Sequence, residues 1–288
     1  MQGPEVKAFF HAASSTFSYV AWDTVTRQAA VIDAVQDYDA ASGRTGRASA
    51  EAMIGFVRAQ GLRVAWVIDT HVHADHLSAA PWVQAALGGR LAIGEQVRAV
   101  QRRFGSLFNA GSEFRRDGSQ FDHLFSDGER YRLGSIEATA IHTPGHTPAC
   151  MTHLIGDAAF VGDTLFMPDS GTARCDFPGG DARVLYRSIQ RIFTLPASTR
   201  IFVCHDYKAP GRDAFAHETT VAAERRDNIH LRDGVSEADF VSMRQARDAS
   251  LPVPQLMLPA VQVNMRAGRL PPAEDNGVRY LRIPLDTL

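Results

Sequence analysis

The segment Thr70-His71-Val72-His73-Ala74-Asp75-His76 gathers three imidazoles and a carboxylate into one short stretch. It follows directly on the apolar run Val64-Ala65-Trp66-Val67-Ile68, whose β-branched and aromatic residues predict a buried strand ending at Asp69-Thr70. The histidines therefore leave the strand on a loop, ahead of a helix predicted to begin near Leu77. A turn lets side chains two and four residues apart converge on one point, and imidazoles and carboxylates are what borderline divalent metals bind. A polar loop that is His-rich by chance is the plain alternative. The downstream sequence supplies further ligands and argues against it.

Around this loop the chain alternates strand-like and helical patterns. Residues 6–10, 17–21 and 29–32 are short β-type runs, and 40–48 reads as a loop. Residues 51–60 carry Met53, Ile54 and Val57 at helical spacing, with Gly61 as the stop. Helices are predicted over 77–87, ended by Gly88-Gly89, and over 95–104, whereas 108–119 has no clean period and reads as an exposed excursion. Residues 136–141 alternate and run into His142-Thr143-Pro144-Gly145-His146-Thr147-Pro148, where Pro and Gly make a rigid turn that aims one imidazole. Residues 150–155 and 158–161 form a hairpin about Gly156-Asp157 and end at Gly162-Asp163-Thr164. Asp181 caps a helix with Val184, Leu185, Ile189 and Ile192 on its apolar face. Residues 201–204 read as a buried strand that delivers His205-Asp206-Tyr207. Ser236 and Asp239 mark a capping box, 251–273 is an ordered, proline-punctuated arm, and 280–283 is a last strand.

Neither a repeat nor a linker interrupts the chain, so one domain is expected, with a catalytic part over 1–250 and an arm over 251–288 packed on it. The strand-helix rhythm in both halves predicts two sheets with helices outside. At 45% apolar and 22% charged residues, the composition is that of a soluble globular protein. A net charge of -2 argues against a nucleic-acid-binding face, and no apolar run is long enough for a membrane span. Cys150, Cys175 and Cys204 are odd in number and widely spaced, which fits a reducing compartment; with no leader pattern at Met1-Gln2-Gly3-Pro4-Glu5, cytoplasm is expected.

His71, His73, Asp75, His76, His146, Asp163 and His205 stand at four separate strand ends, where rigid scaffolds place functional side chains. One such histidine is ordinarily structural; this many ligand-type groups at strand ends predict a metal site.

In this order, His-x-His-x-Asp-His, Pro-Gly-His-Thr, Gly-Asp-Thr and a His after an apolar strand resemble the metallo-β-lactamase superfamily. The resemblance spans roughly residues 6–230 and implies an α/β fold, an αββα sandwich with metal at one edge of two facing sheets. Activity varies across the superfamily. Gly171-Thr172-Ala173-Arg174-Cys175-Asp176-Phe177 resembles the Gly-x-x-Arg-x-Asp-Phe segment of its persulfide dioxygenase branch. Ser15-Thr16-Phe17-Ser18-Tyr19, Val31-Ile32-Asp33, Tyr186-Arg187-Ser188-Ile189 and Ile192-Phe193-Thr194-Leu195-Pro196 are similar to that branch as well. Cys175 stands where the mitochondrial members carry Thr, so the likeness is to the bacterial type.

That resemblance implies one Fe(II) per chain held by His71, His146 and Asp163, a two-histidine, one-carboxylate set with open positions for a persulfide sulfur and dioxygen. It implies oxidation of glutathione persulfide with O2 and water to sulfite and glutathione. Spacing alone leaves open a dinuclear zinc hydrolase of the glyoxalase II type, in which Asp75, His76 and His205 would hold a second metal. Under the iron reading His73, Asp75, His76 and His205 orient ligands and hold water, and Arg174 pairs with Asp176 or touches substrate. Tyr207, Lys208, Arg212, Arg225 and Arg226 are the candidates for the tripeptide's polar ends, although each cation could equally belong to a solvated helix face. Cys175 reads as a buried filler sooner than a redox switch, and Cys150 and Cys204 as core. A sulfurtransferase is the expected persulfide donor, as a separate partner, and a homodimer is expected.

Overall fold

The computed structural model describes residues 3–287. One six-stranded sheet contains β1 (Glu5–His11), β2 (Thr16–Trp22), β3 (Gln28–Ile32), β4 (Arg63–Ile68), β5 (Arg90–Gly94) and β6 (His123–Phe125). The other contains β7 (Glu129–Leu133), β8 (Ile136–His142), β9 (Met151–Ile155), β10 (Ala158–Phe160), β11 (Arg200–Phe202) and β12 (Glu218–Thr220). In both, the strands lie side by side in chain order. β1 to β3 are antiparallel, and β3 to β6 are parallel. β7 to β10 are antiparallel, β11 joins β10 parallel, and β12 closes antiparallel. The parallel steps are bridged by α1 (Ala48–Ala59), α2 (Ala80–Leu87), α3 (Val97–Leu107) and α4 (Ala182–Phe193), followed by α5 (Val221–Asp227), α6 (Glu237–Asp248) and α7 (Met257–Asn264).

Strand alternation explains the layers. In β4, Trp66 and Ile68 face the second sheet, while Val67 faces the helices; in β3, Ala30 and Ile32 face inward and Val31 outward. A strand covered on both faces must be apolar throughout, which is why residues 64–68 read as an unbroken run. The inner layer joins Tyr19, Ile32 and Phe125 to Ile155, Phe160 and Phe202. Outside the first sheet lie α1, α2, α3 and α7, and outside the second α4 and α6. This is the αββα sandwich expected from the sequence. Among the described residues no helix is long and apolar enough to cross a membrane.

Three local expectations need correction. The helix expected from residue 77 starts at Ala80, because Leu77–Ser78 instead pairs with Val35–Gln36. There Ser78 donates through its hydroxyl to Asp69 at 2.8 Å. The stretch 108–119 is not simply exposed, since Phe108, Ala110 and Phe114 are buried against the helices of the first sheet. No strand forms over 280–283; Leu281 packs on Leu77, Ala260 and Val263, and the Arg282 amide donates to Gln262.

Candidate metal centre

All seven ligand-type groups arrive at one edge of the sandwich, beyond the carboxyl ends of β4, β8, β10 and β11. Open α/β sheets bind ligands at such ends. The loop after β4 is fixed from two sides. At the end of β3, Asp33 accepts from the Thr70 amide at 2.7 Å, the Thr70 hydroxyl at 2.9 Å and His73 Nε2 at 2.8 Å. Asp33 adopts a positive φ of 52°, which a short polar side chain tolerates. From the other side comes Asn264, described below. The turn after β8 needs Gly145: its φ is +138°, and a Cβ there would sit 2.4 Å from the Leu185 backbone of α4. His146 then donates from Nδ1 to the Arg174 carbonyl at 2.8 Å. His205 is set by a bridge to Thr16 that joins the two sheets.

The donor atoms of His71, His146 and Asp163 all lie within 4.8 Å of one another. Nε2 of His71 and of His146 stand 3.9 and 3.6 Å from Asp163 Oδ2. His205 Nε2 lies 3.2 Å from Asp163 Oδ1 and 3.5 Å from Asp75 Oδ2. Asp75 Oδ2 also accepts from Thr16 at 3.2 Å and is 2.9 Å from His76 Nδ1. His71 Nε2, His73 Nδ1, His76 Nε2, His205 Nε2 and Asp163 Oδ1 are buried with no hydrogen-bond partner. Buried polar atoms are rarely left unpaired. Here the unpaired atoms are imidazole lone pairs and a carboxylate oxygen facing one another, so the residues fit a bound transition metal. The other ring nitrogen of His73 and of His146 is committed to Asp33 and to the Arg174 carbonyl, which fixes the tautomer that presents the free nitrogen.

The charges tell the same story. Burial would raise the Asp163 carboxyl, but His205, His71 and His146 hold it well below the usual carboxylate range. Asp75 is likewise lowered against its burial by His205 and His76. Burial would lower His73 and His205, yet Asp33 pushes the first up to about 9, and Asp163 with Asp75 pushes the second up to about 10. Burial and the neighbouring His73 drive His71 well down. Raised in this way, His73 and His205 would carry protons on the nitrogens that a metal would otherwise take, so metal binding would displace them.

A cavity of about 510 Å³ opens from Asp75, His146 and Asp163 and is walled by Phe166, Phe177, Ile229 and Leu251. Of the expected substrate contacts, Arg174, Tyr207 and Lys208 line it. Arg174 is bound to Asp176 at 2.6 Å and to the Pro252 carbonyl, and its own backbone carbonyl serves His146. The Tyr207 ring stacks on His205 at 5.8 Å. Arg212 is not free: it binds Asp206 and Asp169. Arg225 and Arg226 do not reach the cavity; they lie on exposed α5, paired with Asp233 and Asp227. Arg247 of α6, unremarked in the sequence, lines the cavity, and neither it nor Lys208 has a carboxylate partner among the described residues. Asn264 and Arg247 were missed because a single Asn or Arg has no motif, and Asp33 was noticed only as the end of Val31-Ile32-Asp33, with no role in the site. All three cysteines are free and buried; burial raises the Cys175 thiol and pushes Cys150 up to about 12, as befits fillers.

The sequence profile described as the metallo-β-lactamase superfamily matches residues 13–205. A probable metallo-hydrolase of Burkholderia pseudomallei is 58% identical, over 98% of this chain and 99% of its own. The mitochondrial persulfide dioxygenase ETHE1 of Homo sapiens is 31% identical, over 91% of this chain and 88% of its own. Three further bacterial relatives, 48% to 50% identical, are longer, and this chain spans 65% to 66% of their length. Among solved structures, ETHE1 from Myxococcus xanthus superposes with a TM-score of 0.72 at 30% identity, covering 92% of this chain and all of that one. With the sandwich, the converging ligands and these matches together, the chain belongs to the metallo-β-lactamase superfamily.

Proposed function

We propose that the chain is a mononuclear non-haem iron persulfide dioxygenase acting on a glutathione-type persulfide. The observation that carries this reading is the convergence of His71, His146 and Asp163, two histidines and one carboxylate, of which His146 and Asp163 line an open cavity. Asp75, His76 and His205 do not form such a group among the described residues, although Asp75 and His76 do so with His73, and Asp75 is shared with His76 and Thr16. The likeness to persulfide dioxygenases along nearly the whole chain supports it as well. An iron ion held there would supply electron transfer between a soft sulfur anion and dioxygen.

The rest falls to the protein. Arg174 orients His146 through its carbonyl, and His205 lies against the Asp163 oxygen turned away from His146. Phe166 and Phe177 exclude water beside the reacting sulfur. Lys208 and Arg247 offer two unneutralised cations for the two carboxylates of glutathione. In the balanced reaction the terminal sulfur gives up four electrons to dioxygen and leaves, with an oxygen from water, as sulfite while the glutathione thiol is released. A sulfurtransferase as donor, a homodimer and a cytoplasmic setting complete the reading.

A dinuclear zinc hydrolase of the glyoxalase II type is the second reading. It is favoured by the unpaired His73 Nδ1, His76 Nε2 and His205 Nε2 and by the metallo-hydrolase relative. Metal analysis of anaerobically prepared protein, with oxygen uptake on glutathione persulfide, separates the two. One iron per chain with oxygen consumption is expected; two zinc ions with thioester hydrolysis and no oxygen uptake would overturn the proposal. His146→Ala should abolish both metal and oxygen uptake.

A further inference from the structure

The carbonyl oxygens of His73 and His76 are buried in the metal-binding loop, and each finds one partner among the described residues: the side-chain amide of Asn264. Asn264 Nδ2 donates to the His73 carbonyl at 2.9 Å and to the His76 carbonyl at 2.7 Å. Its Oδ1 accepts from the Ser78 amide at 2.8 Å. Asn264 is 2% exposed, so water has little access to any of these bonds. A primary amide has two donors fixed in one plane and an acceptor on the same carbon. Three backbone groups of residues 73–78 are thus locked to one rigid group that is distant in sequence.

That group is itself anchored. Met257 and Val261 of α7, with Met265 and Ala267 just beyond it, belong to the core outside the first sheet. Gln101 of α3 donates to the Met265 carbonyl at 2.9 Å. Gly268 passes so close to the loop that a Cβ on it would lie 2.6 Å from the Ser78 carbonyl. Together with Asp33, which grips the Thr70 amide and His73 from β3, Asn264 leaves the loop little freedom to re-aim its imidazoles.

We propose that Asn264 is a positioning residue of the metal centre: through the carbonyls of His73 and His76 it pre-sets the loop that carries His71, so that metal affinity depends on a side chain beyond residue 250. The inference requires a metal in the centre but not a particular reaction, so it stands or falls separately from the dioxygenase reading. Asn264→Asp keeps the size and the acceptor for Ser78 while replacing two donors by an oxygen that faces two carbonyls. Gln262→Leu perturbs the same helix on its other side, where Gln262 binds residue 282 and not the loop.

The experiment measures Fe(II) and Zn(II) affinity by chelator competition and metal-free melting temperature for both variants of the full chain. Both are expected to melt lower. Only Asn264→Asp should bind whichever ion the wild type holds more weakly, by about 10- to 100-fold, the usual effect of losing an outer partner of a metal site. Wild-type affinity in Asn264→Asp, or equal weakening in Gln262→Leu, would overturn the assignment. Asn264→Ala, which leaves room for water at the carbonyls, carries the same comparison if the aspartate variant does not fold.

Discussion

Asp33 carries more of the metal centre than its place in the sequence suggests. Its carboxylate receives a backbone amide, a hydroxyl and an imidazole from residues 70–73, and it is fully buried. Because His73 donates to it from Nε2, the Nδ1 lone pair remains free toward the centre. Asn in place of Asp would keep the positive φ, but Oδ1 receives both the Thr70 amide and His73 Nε2. An amide nitrogen at that place would shift the imidazole proton to Nδ1 and remove that lone pair, at the loss of the bond from the Thr70 amide. Under the one-iron reading His73 is not a ligand, so Asp33→Asn should retain one iron per chain by metal analysis, with lower stability; loss of half of two bound metals would instead support the dinuclear reading. The candidate ligands were legible because metal binding needs particular residue types, and those stood in short motifs. Asp33 and Asn264 were not, since each matters only through contacts with chain that is remote in sequence.

Among the elements, α5 shows how a helix supports the site without touching it. Glu224 is buried; its Oε2 accepts from Asn228 at 2.6 Å, and Asn228 donates to the Gly171 carbonyl at 3.2 Å. This holds the start of the loop whose Arg174 carbonyl orients His146. Two residues from α6 hold the same loop: Arg244 donates to the Thr172 carbonyl at 3.1 Å, and Asp248 accepts from the Cys175 amide at 2.9 Å. Burial, opposed by Asn228, pushes the Glu224 carboxyl up to about 8 from its usual 4.5. Between those values the folded chain keeps a proton that the unfolded chain has released, so stability falls as pH rises through that window. Glu224→Gln removes this dependence. Its melting temperature, relative to the wild type, should rise from about pH 5 to about pH 9, an advantage on the order of several kcal/mol at most. A pH-independent difference would show that Glu224 is ionised in the fold. Strands and helices in this region were readable from periodicity and caps, as with Asp181, which accepts from the Val184 amide at 2.9 Å. The loop between them was readable only by resemblance, because what shapes it is a buried polar network rather than a local pattern.

At the scale of the whole molecule, the last stretch is not an appendage. Met257, Val261 and Met265 complete the core over the first sheet, and each apolar side chain of that size contributes about 1.5–3 kcal/mol when buried. Their sum rivals the net stability of a domain, about 5–15 kcal/mol. A chain ended at residue 250 should therefore fail to give a cooperative thermal transition by circular dichroism, whereas retained folding would show that the first sheet needs no cover from α7. The sequence marked this region as an ordered arm from its prolines and could not place it, because those prolines break any period in its apolar residues and its partner surface is assembled from far-off segments.

Because neighbouring strands in both sheets follow chain order, the two halves of the sandwich emerge from a ribosome one after the other. His71 and Asp33 are made with the first half, His146, Asp163 and His205 with the second, and Asn264 later still. A nascent chain that has finished its first sheet already displays the three-histidine loop, yet it lacks His146, Asp163 and His205. The complete set of side chains around the centre therefore exists only once the chain has been made as far as Asn264.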